Sequence, residues 1–326
     1  MRTTARERFP APGRLVAVER GRHLQLDCRG VGSPTVVLES GLDVLGSLSW
    51  TSVLDSIART TRVCAYSRAG IMWSEPAGAR FDSRQAARDV HTALSLAGET
   101  SPYVMVGHSI GAAYVMRFTA EYPTEVEGLV LVDPSHPKQF PEFAKATGKS
   151  MEPASGDVRV GAALSWTGML RLLPEQNPPS WPQALRLAAA AFLPTSLAAA
   201  GQEARAIVAT LADADSIRDL GARPLIVLSA ASEYPSATLK LMGLTREQGT
   251  RLQATQHRLH AALASMSRNG RLELVPQSSH YIQLDQPHVV VRAIGAVVAA
   301  VRSHSGQDDE SAAAYVGGRL AAAKVR

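Results

Sequence analysis

The feature that most constrains this chain is a short apolar strand that runs into a glycine-bounded serine and then into a helix. Tyr103–Val106 favours a strand, Gly107–Gly111 follows with the sequence GHSIG, and Ile110–Tyr122 has helical apolar spacing. A serine in this setting occupies a strained turn, because larger side chains at either glycine would collide across it. The pattern predicts that Ser109 is a nucleophile, with Gly107 and Gly111 shaping the turn around it.

Apolar strands alternate with helices on both sides of this turn. Such continuous apolar runs are typical of strands buried on both faces, so the chain predicts a mostly parallel sheet covered by helices. The alternation stops between Ser135 and about Ala222, where helix-like pieces broken by prolines take its place. These pieces are Gly161–Leu173, Trp181–Phe192 and Leu197–Ala212.

The alternation of strands and helices, and its interruption, divide the chain into segments. Residues 14–135 and 223–302 are expected to form one α/β core, and residues 136–222 an inserted helical cap or lid. Residues 1–13 and 303–326 are expected to be terminal tails, the second one frayed around a weak helix.

Composition and charge indicate which classes of partner, such as nucleic acid or membrane, this chain is expected to bind. The 326 residues include 45% hydrophobic and 19% charged residues, which suits a folded protein with a sizeable core. The net charge of +5 is scattered and aromatics are only 5%, so we expect no nucleic-acid partner.

The longest apolar runs, Leu187–Leu193 and Val289–Val301, are too short to predict a membrane span. The first ten residues lack the apolar core of a secretory leader, which predicts a cytoplasmic protein, with export after leader removal as the alternative. The oligomeric state is left open.

A serine hydroxyl needs a base, and His280 is the best placed histidine. It follows the strand Arg271–Val275 by a short loop, at the sheet edge where ligands bind in open α/β sheets. His108 is expected to point away from its neighbour Ser109 and to be structural. His136, close to Asp133, is expected to lie in a surface loop, with a place in the pocket wall as the alternative; His257 and His260 are expected on a helix face.

Two carboxylates are candidates for the acid that orients this base. Asp133 ends the core strand Gly128–Val132 and precedes a proline, so its position is rigid. Glu233 follows the strand Pro224–Leu228 in a flexible Ala/Ser loop. We favour Asp133, with Glu233 as the alternative.

The strand Thr35–Leu38 supplies the second half of a predicted oxyanion hole. If it lies beside the nucleophile strand, the N–H groups of Leu42 and Ile110 would bind the developing negative charge. Gly41 would let this backbone approach the substrate closely.

Taken together, these motifs resemble the α/β-hydrolase superfamily, and most of residues 14–302 share the resemblance. The matching segments are Cys64–Gly70, Gly107–Gly111, Val130–Pro137 and Ser279–Pro287. The resemblance implies an eight-stranded sheet with an antiparallel second strand, a helical cap after the sixth strand, and a Ser-acid-His triad. It also implies that the second and fourth strands are neighbours, which would let Cys28 and Cys64 meet; the residues alone favour two buried thiols.

Several positions depart from the pattern of that family. Ser67 stands where Asp is usual, Met72 where Gly is usual, and Ser40 where His is common. Glu233 replaces the usual Asp after the seventh strand, which weakens its case as the acid. We expect Met72 to alter either the pocket floor or the packing of nearby loops.

The sequence therefore predicts a serine hydrolase that cleaves a small to medium lipophilic carboxylic ester through an acyl-enzyme. It needs no metal or organic cofactor, because the chain supplies nucleophile, base and oxyanion donors. Amide, carbamate or lactone hydrolysis and acyl transfer use the same groups and stay open. A hydrolase-fold receptor that binds a ligand without catalysis is the alternative of another class. The lipophilic preference is inferred from the Ala- and Leu-rich cap with Trp166, Met169, Trp181 and Phe192; the alternative is that these residues only pack the lid on the core.

Overall fold

The computed structural model describes residues 2–78, 81–152 and 181–322 of the chain. Within these ranges eight strands form one sheet: β1 Arg14–Ala17, β2 His23–Arg29, β3 Thr35–Glu39, β4 Val63–Ser67, β5 Tyr103–His108, β6 Val126–Val132, β7 Leu225–Ala230 and β8 Gly270–Val275. The same ranges contain the helices α1 Arg2–Arg8, α2 Leu54–Ala58, α3 Ser83–Ala97, α4 Gly111–Glu121, α5 Gln139–Thr147, α6 Gln183–Ala214, α7 Ser236–Leu241, α8 Arg246–Ala264, α9 Ile282–Asp285 and α10 Pro287–Ala322. Two 3₁₀ turns, Glu19–Gly21 and Gly46–Trp50, complete the regular structure of the described residues.

The strand order is β1-β2-β4-β3-β5-β6-β7-β8, and β2 runs antiparallel to both of its neighbours. All other pairs are parallel. The carboxyl ends of β3, β5, β6, β7 and β8 therefore meet at one edge of the sheet, where the candidate site residues follow their strands. This order confirms the predicted α/β-hydrolase fold with its mostly parallel eight-stranded sheet.

Side chains on both faces of the sheet pack into separate hydrophobic clusters. On one face α3 and α4 cover the central strands with residues such as Leu94 and Phe118, and on the other α2 and α10 do so with Ile57 and Ile294. Burial on both faces explains why the strands read as continuous apolar runs in the sequence.

Helix α6 differs from the sequence prediction. Two separate helices were expected on either side of Pro194, but Gln183–Ala214 is one helix that contains this proline. Contacts on both sides of Pro194 hold it to the core: the Phe192 ring lies 5.3 Å from that of Trp73, and the Ser196 hydroxyl accepts a hydrogen bond from Met72 N–H. Tertiary packing here overrides the helix-breaking tendency of proline. The predicted helix Gly161–Leu173, with Trp166 and Met169, lies outside the described residues.

Helix α6 extends the apolar run Leu187–Leu193 into a longer apolar segment. An 18-residue window of α6 has a mean hydropathy of 1.4, enough by length and composition to cross a bilayer. Of that window, 39% is buried inside the protein, and one such helix is weak evidence for a membrane span.

Both terminal segments contain helix. Arg6 in α1 donates to the Trp73 carbonyl and pairs with Glu75 at 3.0 Å, while the Trp73 indole donates to the Phe9 carbonyl at 2.8 Å. The final helix continues past the predicted start of the tail at residue 303 as far as Ala322. The alanine-rich composition beyond residue 310 favours this continuation, because alanine has the highest helix propensity.

Strands β2 and β4 place Cys28 directly opposite Cys64, and the two form a disulfide. The structure thus contains the pairing that the family resemblance implied, and not the two free thiols that the residues alone favoured.

Met72 occupies the left-handed region with φ of 47°. This explains why glycine is usual at the position, since glycine adopts such a φ without steric cost. Met72 is fully buried in a cluster with Trp181 and Phe192. Of the two expected effects, altered packing is therefore the one that the structure shows.

Candidate active site

Ser109 lies in the tight turn between β5 and α4. Its φ is 55°, a conformation that costs a non-glycine residue free energy and persists only where surrounding structure holds it. Two backbone hydrogen bonds to the end of β6 and the residues after it hold the turn in place. Ser109 N–H donates to the Val132 carbonyl at 3.0 Å, and the Ser109 carbonyl accepts from Ser135 N–H at 2.9 Å. A Cβ at Gly107 would lie 2.7 Å from the Gly111 backbone, so this glycine lets the turn close. A Cβ at Gly111 would lie 2.6 Å from the Ser40 carbonyl oxygen, so this glycine lets the turn pack against the loop after β3.

Asp133, at the end of β6, meets His280 from the loop after β8. The distance from His280 Nδ1 to Asp133 Oδ2 is 2.6 Å. The other carboxylate oxygen accepts from Ala230 N–H at 2.9 Å, and Gln256 donates to Oδ2 at 3.0 Å. Because Nδ1 is engaged by the carboxylate, Nε2 is the ring nitrogen of His280 that is left for proton transfer.

These hydrogen bonds decide the charge of Asp133. Burial alone would raise the pKa of its carboxyl group, but the hydrogen bond and charge of His280, the charge of His260 and the Ala230 N–H together lower that pKa below its ordinary value. Asp133 is therefore an ionised carboxylate that is almost fully buried.

Glu233, the alternative acid, has different surroundings. Its side chain is 84% exposed and forms an ion pair with Arg246 at 3.6 Å. The structure therefore brings Asp133, and not Glu233, into contact with His280.

One cavity of about 680 Å³ joins the candidate residues, and Ser109, Asp133 and His280 all line it. Part of the wall is apolar, formed by Phe140, Phe143 and Ile207 from α5 and α6. A cavity of this size suits a small to medium organic ligand.

The loop after β3 lies beside the nucleophile turn. Strand β3 pairs with β5 so that Glu39 is opposite Gly107, and Leu42 lines the cavity together with Ile110. A Cβ at Gly41 would lie 2.9 Å from His108 Nδ1 and 3.1 Å from Ser109 Cβ, so only glycine fits this close approach.

His108 supports His280 through its backbone. His108 Nε2 lies 2.9 Å from the His280 carbonyl oxygen, to which it donates, and the two rings are 4.7 Å apart. Burial and the neighbouring His280 charge lower the pKa of His108 to about 3, so its imidazole is neutral. The His108 side chain is therefore hydrogen-bonded to the backbone of the loop that carries the candidate base, His280.

Two histidines lie closer to the site than predicted. His136, expected in a surface loop, is half-buried and lines the cavity, and burial lowers its pKa to about 4. His260, expected on an ordinary helix face, is buried 3.9 Å from Asp133 Oδ1. His260 Nε2 lies 2.8 Å from the Pro134 carbonyl, to which it donates, so Nδ1 accepts from the Ser229 hydroxyl at 2.7 Å.

Gln256 was not recognised from the sequence as a site residue, although a signal was present. Gln256 and His260 are four residues apart on the predicted helix, so they share a face, and that face is unusually polar for a buried one. The structure turns this face toward Asp133, with Gln256 in direct contact.

A model of the alpha/beta hydrolase family matches residues 9–293. The chain belongs to the alpha/beta hydrolase family. The match begins before β1 and ends within α10, so the family assignment applies to most of the chain.

Individual relatives match parts of this chain. It is 31% identical over 119 residues to "Probable transporter efuK" of Hormonema carpetanum, covering 35% of this chain and 17% of that protein. It is 34% identical over 102 residues to "Putative carbamate hydrolase RutD" of Escherichia coli O1:K1 / APEC, covering 31% of this chain and 38% of that protein. The chain thus spans less than half the length of either curated relative.

Solved structures share the fold over a longer range. A thermophilic esterase from Thermogutta terrifontis superposes with a TM-score of 0.58 and 18% identity, covering 88% of this chain and 97% of that one. At this identity the likeness establishes the fold and leaves the substrate to be argued from the site.

Proposed function

We propose that this hydrolase cleaves carboxylic esters through an acyl-enzyme, with Ser109 as nucleophile, His280 as base and Asp133 as the acid that orients it. The observation that carries the proposal is the 2.6 Å contact between His280 Nδ1 and Asp133 Oδ2, in the cavity that Ser109 also lines. A buried carboxylate bonded to Nδ1 fixes the tautomer in which Nε2 accepts a proton, and it stabilises the imidazolium that follows.

The proposed reaction has two stages. Ser109 Oγ attacks the ester carbonyl carbon as its proton moves to His280 Nε2, and the carbonyl oxygen becomes an oxyanion facing the N–H groups of Leu42 and Ile110. When the tetrahedral intermediate collapses, the C–O bond to the alcohol breaks and His280 returns the proton to the departing alcohol. Water then attacks the acyl-enzyme by the same route, which releases the carboxylic acid and restores Ser109.

The cavity lining supports a lipophilic substrate. Phe140, Phe143 and Ile207 present apolar surface, whereas several polar groups of the wall already bind one another. The Tyr234 hydroxyl donates to Gln256 at 2.9 Å, and Gln253 donates to the Ser232 carbonyl at 2.7 Å. An apolar group on the substrate therefore has surface to bury, and we propose that the segment 136–222 acts as a cap that supplies it.

The same groups would also cleave carbamates, amides or lactones, or transfer the acyl group to another alcohol. The likeness to a protein named as a carbamate hydrolase keeps that substrate class in the test. Activated esters of graded acyl length, a carbamate, an amide and a lactone should therefore be assayed together, and we expect the highest kcat/KM with an ester.

The central test compares Ser109→Ala with Ser135→Ala, a second serine that lines the same cavity. We expect Ser109→Ala to lower kcat for a p-nitrophenyl ester by at least about 10⁴-fold and to abolish labelling by a fluorophosphonate. Ser135→Ala should keep labelling and activity within a few-fold of the parent. Full turnover in Ser109→Ala would disprove the proposal. Stoichiometric ligand binding that survives Ser109→Ala, with no turnover of any acyl substrate, would instead favour the receptor function.

A further inference from the structure

A buried charged cluster lies beside the loop that carries Leu42. It consists of Arg68 after β4, Glu39 at the end of β3, and Glu203 in α6. All three side chains are at most 3% exposed. The cluster therefore joins two core strands to a helix of the insertion.

The guanidinium group of Arg68 uses its donors on both carboxylates and on two backbone carbonyls. Its Nε and Nη2 bind the two oxygens of Glu203 at 3.0 and 2.7 Å, and Nη1 binds Glu39. Nη1 also donates to the Ser40 carbonyl at 2.7 Å, and Nη2 donates to the Gly41 carbonyl at 2.7 Å. The planar fork of arginine can meet all these acceptors at once, whereas the three donors of lysine cannot.

Stability alone does not account for this cluster. Burial raises the pKa of Glu39 to about 7 and also raises that of Glu203, which shows that both carboxylates are costly to keep charged here. Buried ion pairs often contribute less to stability than apolar residues of the same volume. Such a group is better explained by the geometry that it imposes, and here the imposed geometry is that of a loop next to Ser109.

The contact to Gly41 fixes the direction of one N–H group. The Gly41 carbonyl and the Leu42 N–H belong to the same planar trans peptide, so they point in opposite directions. With the carbonyl held toward Arg68, the Leu42 N–H must point away from Arg68. Leu42 and Ser109 line one cavity, and the Leu42 N–H is one of the two donors of the proposed oxyanion hole.

We propose that Arg68 is a positioning residue that orients the Leu42 N–H toward the oxyanion, and that Glu203 holds Arg68 in place from the insertion. This inference rests on the proposed serine acyl-enzyme function. It assigns α6 a second task besides covering the cavity, because a shift of α6 would move Glu203 and thus release the oxyanion loop.

The test compares Arg68→Lys and Glu203→Gln with a matched control, Arg62→Lys. Arg62 precedes the same strand, β4, at its other end, where it binds Glu99 through Nε and Nη2 and the Gly30 carbonyl at 2.9 Å through Nη1. It is thus an Arg–Glu–carbonyl arrangement of the same kind, with no contact to the cavity lining among the described residues. Each variant is assayed for the Tm, for kcat and KM with a p-nitrophenyl ester, and for inhibition by a trifluoromethyl ketone.

We expect Arg68→Lys to lower kcat about 10- to 100-fold and Glu203→Gln about 3- to 10-fold, with KM changed less than about threefold. The Ki of the trifluoromethyl ketone, whose adduct with Ser109 carries an oxyanion, should rise by a similar factor. Arg62→Lys should lower the Tm while kcat and this Ki stay within about twofold of the parent.

The outcomes separate this inference from the function on which it depends. If the parent shows no Ser109-dependent turnover, the proposed function fails and the inference fails with it. If the parent is active and folded Arg68→Lys keeps both kcat and Ki, the positioning role alone is overturned. Should Arg68→Lys fail to fold, Glu203→Gln decides, and parental kcat and Ki in that variant would also overturn the inference.

Discussion

Two carboxylates follow neighbouring strands of the sheet and line the same cavity, but their surroundings differ. Asp133, after β6, is 2% exposed and is contacted by Ala230 N–H, Gln256 and His280. Glu233, after β7, has a side chain that is 84% exposed and one ion pair, with Arg246. Only the first is held by several donors at once.

The difference shows that a backbone fixed by hydrogen bonds places a carboxylate against His280 more effectively than a longer side chain does. The Asp133 N–H donates to the Leu228 carbonyl at 2.8 Å, and its φ of 42° turns the chain at the strand end. The short side chain of Asp133, attached to this fixed backbone, contacts His280 with little loss of conformational entropy. The longer side chain of Glu233 lies in a loop and would have to give up solvent and conformational freedom to do the same.

The largest expected effect compares the two carboxylates directly. We expect Asp133→Asn to lower kcat by about 10⁴-fold, because the amide no longer fixes the His280 tautomer or stabilises the imidazolium. Glu233→Gln should change kcat less than about threefold. Steady-state kinetics with a p-nitrophenyl ester measures both, and circular dichroism checks that both variants fold.

The reverse ranking would contradict this comparison. A large loss of kcat in Glu233→Gln, with Asp133→Asn near the parental value, would mean that the loop after β7 moves to bring Glu233 to His280 during turnover. Asp133 would then be a structural carboxylate that anchors Ala230 and Gln256.

A second and smaller effect compares two glutamines of α8. Gln256 donates to Asp133, whereas Gln253, one turn earlier, donates to the Ser232 carbonyl next to Glu233. We expect Gln256→Leu to lower kcat about 10- to 150-fold, since a hydrogen bond to a charged group contributes about 1.5–3 kcal/mol. Gln253→Leu should leave kcat within about threefold. Equal losses in the two variants, measured by the same assay, would show that α8 affects the cavity as a whole and not Asp133 in particular.

Much of the fold could be predicted because local signals and tertiary structure agree. In helix α3, for example, the Asp82 side chain accepts from Arg84 N–H at the start of the helix, as an aspartate at a helix N-cap typically does. Helix α6 and the final helix were predicted less well, because tertiary packing carries the first through Pro194 and the second extends into a segment of weak signal. The pairing of Cys28 with Cys64 depended on strand order, which no local pattern of this chain specifies.

At the candidate site, residues that directly follow strands could be predicted from the sequence, whereas residues that lie on packed helices could not. Ser109 and Asp133 follow their strands directly, so the sheet determines where they lie. Gln256, His260 and Glu203 come from helices whose orientation depends on packing over the whole chain. A helical period predicts which residues share a face, but not what that face meets.

The smallest expected effect concerns the pH dependence of stability. The pKa of Asp133 is lowered from its ordinary value of 3.8, so folding favours its charged form. The resulting stabilisation is present above the unfolded pKa and is lost as the pH falls through the folded one. We therefore expect the unfolding free energy of the parent to fall relative to that of Asp133→Asn as the pH drops through the acidic range. Below about pH 4 this relative fall should be at most about 1.4 kcal/mol per pH unit.

Urea unfolding at a series of pH values measures the difference in unfolding free energy between the parent and each variant, and Glu233→Gln is the matched control. An exposed ion pair contributes at most about 1 kcal/mol, so the difference for Glu233→Gln should be small and nearly independent of pH. A parent that loses no more stability below pH 4 than Asp133→Asn would mean that Asp133 has the same pKa folded and unfolded. The donors around it would then stabilise its neutral and charged forms equally, and the distinction between the two carboxylates would rest on geometry alone.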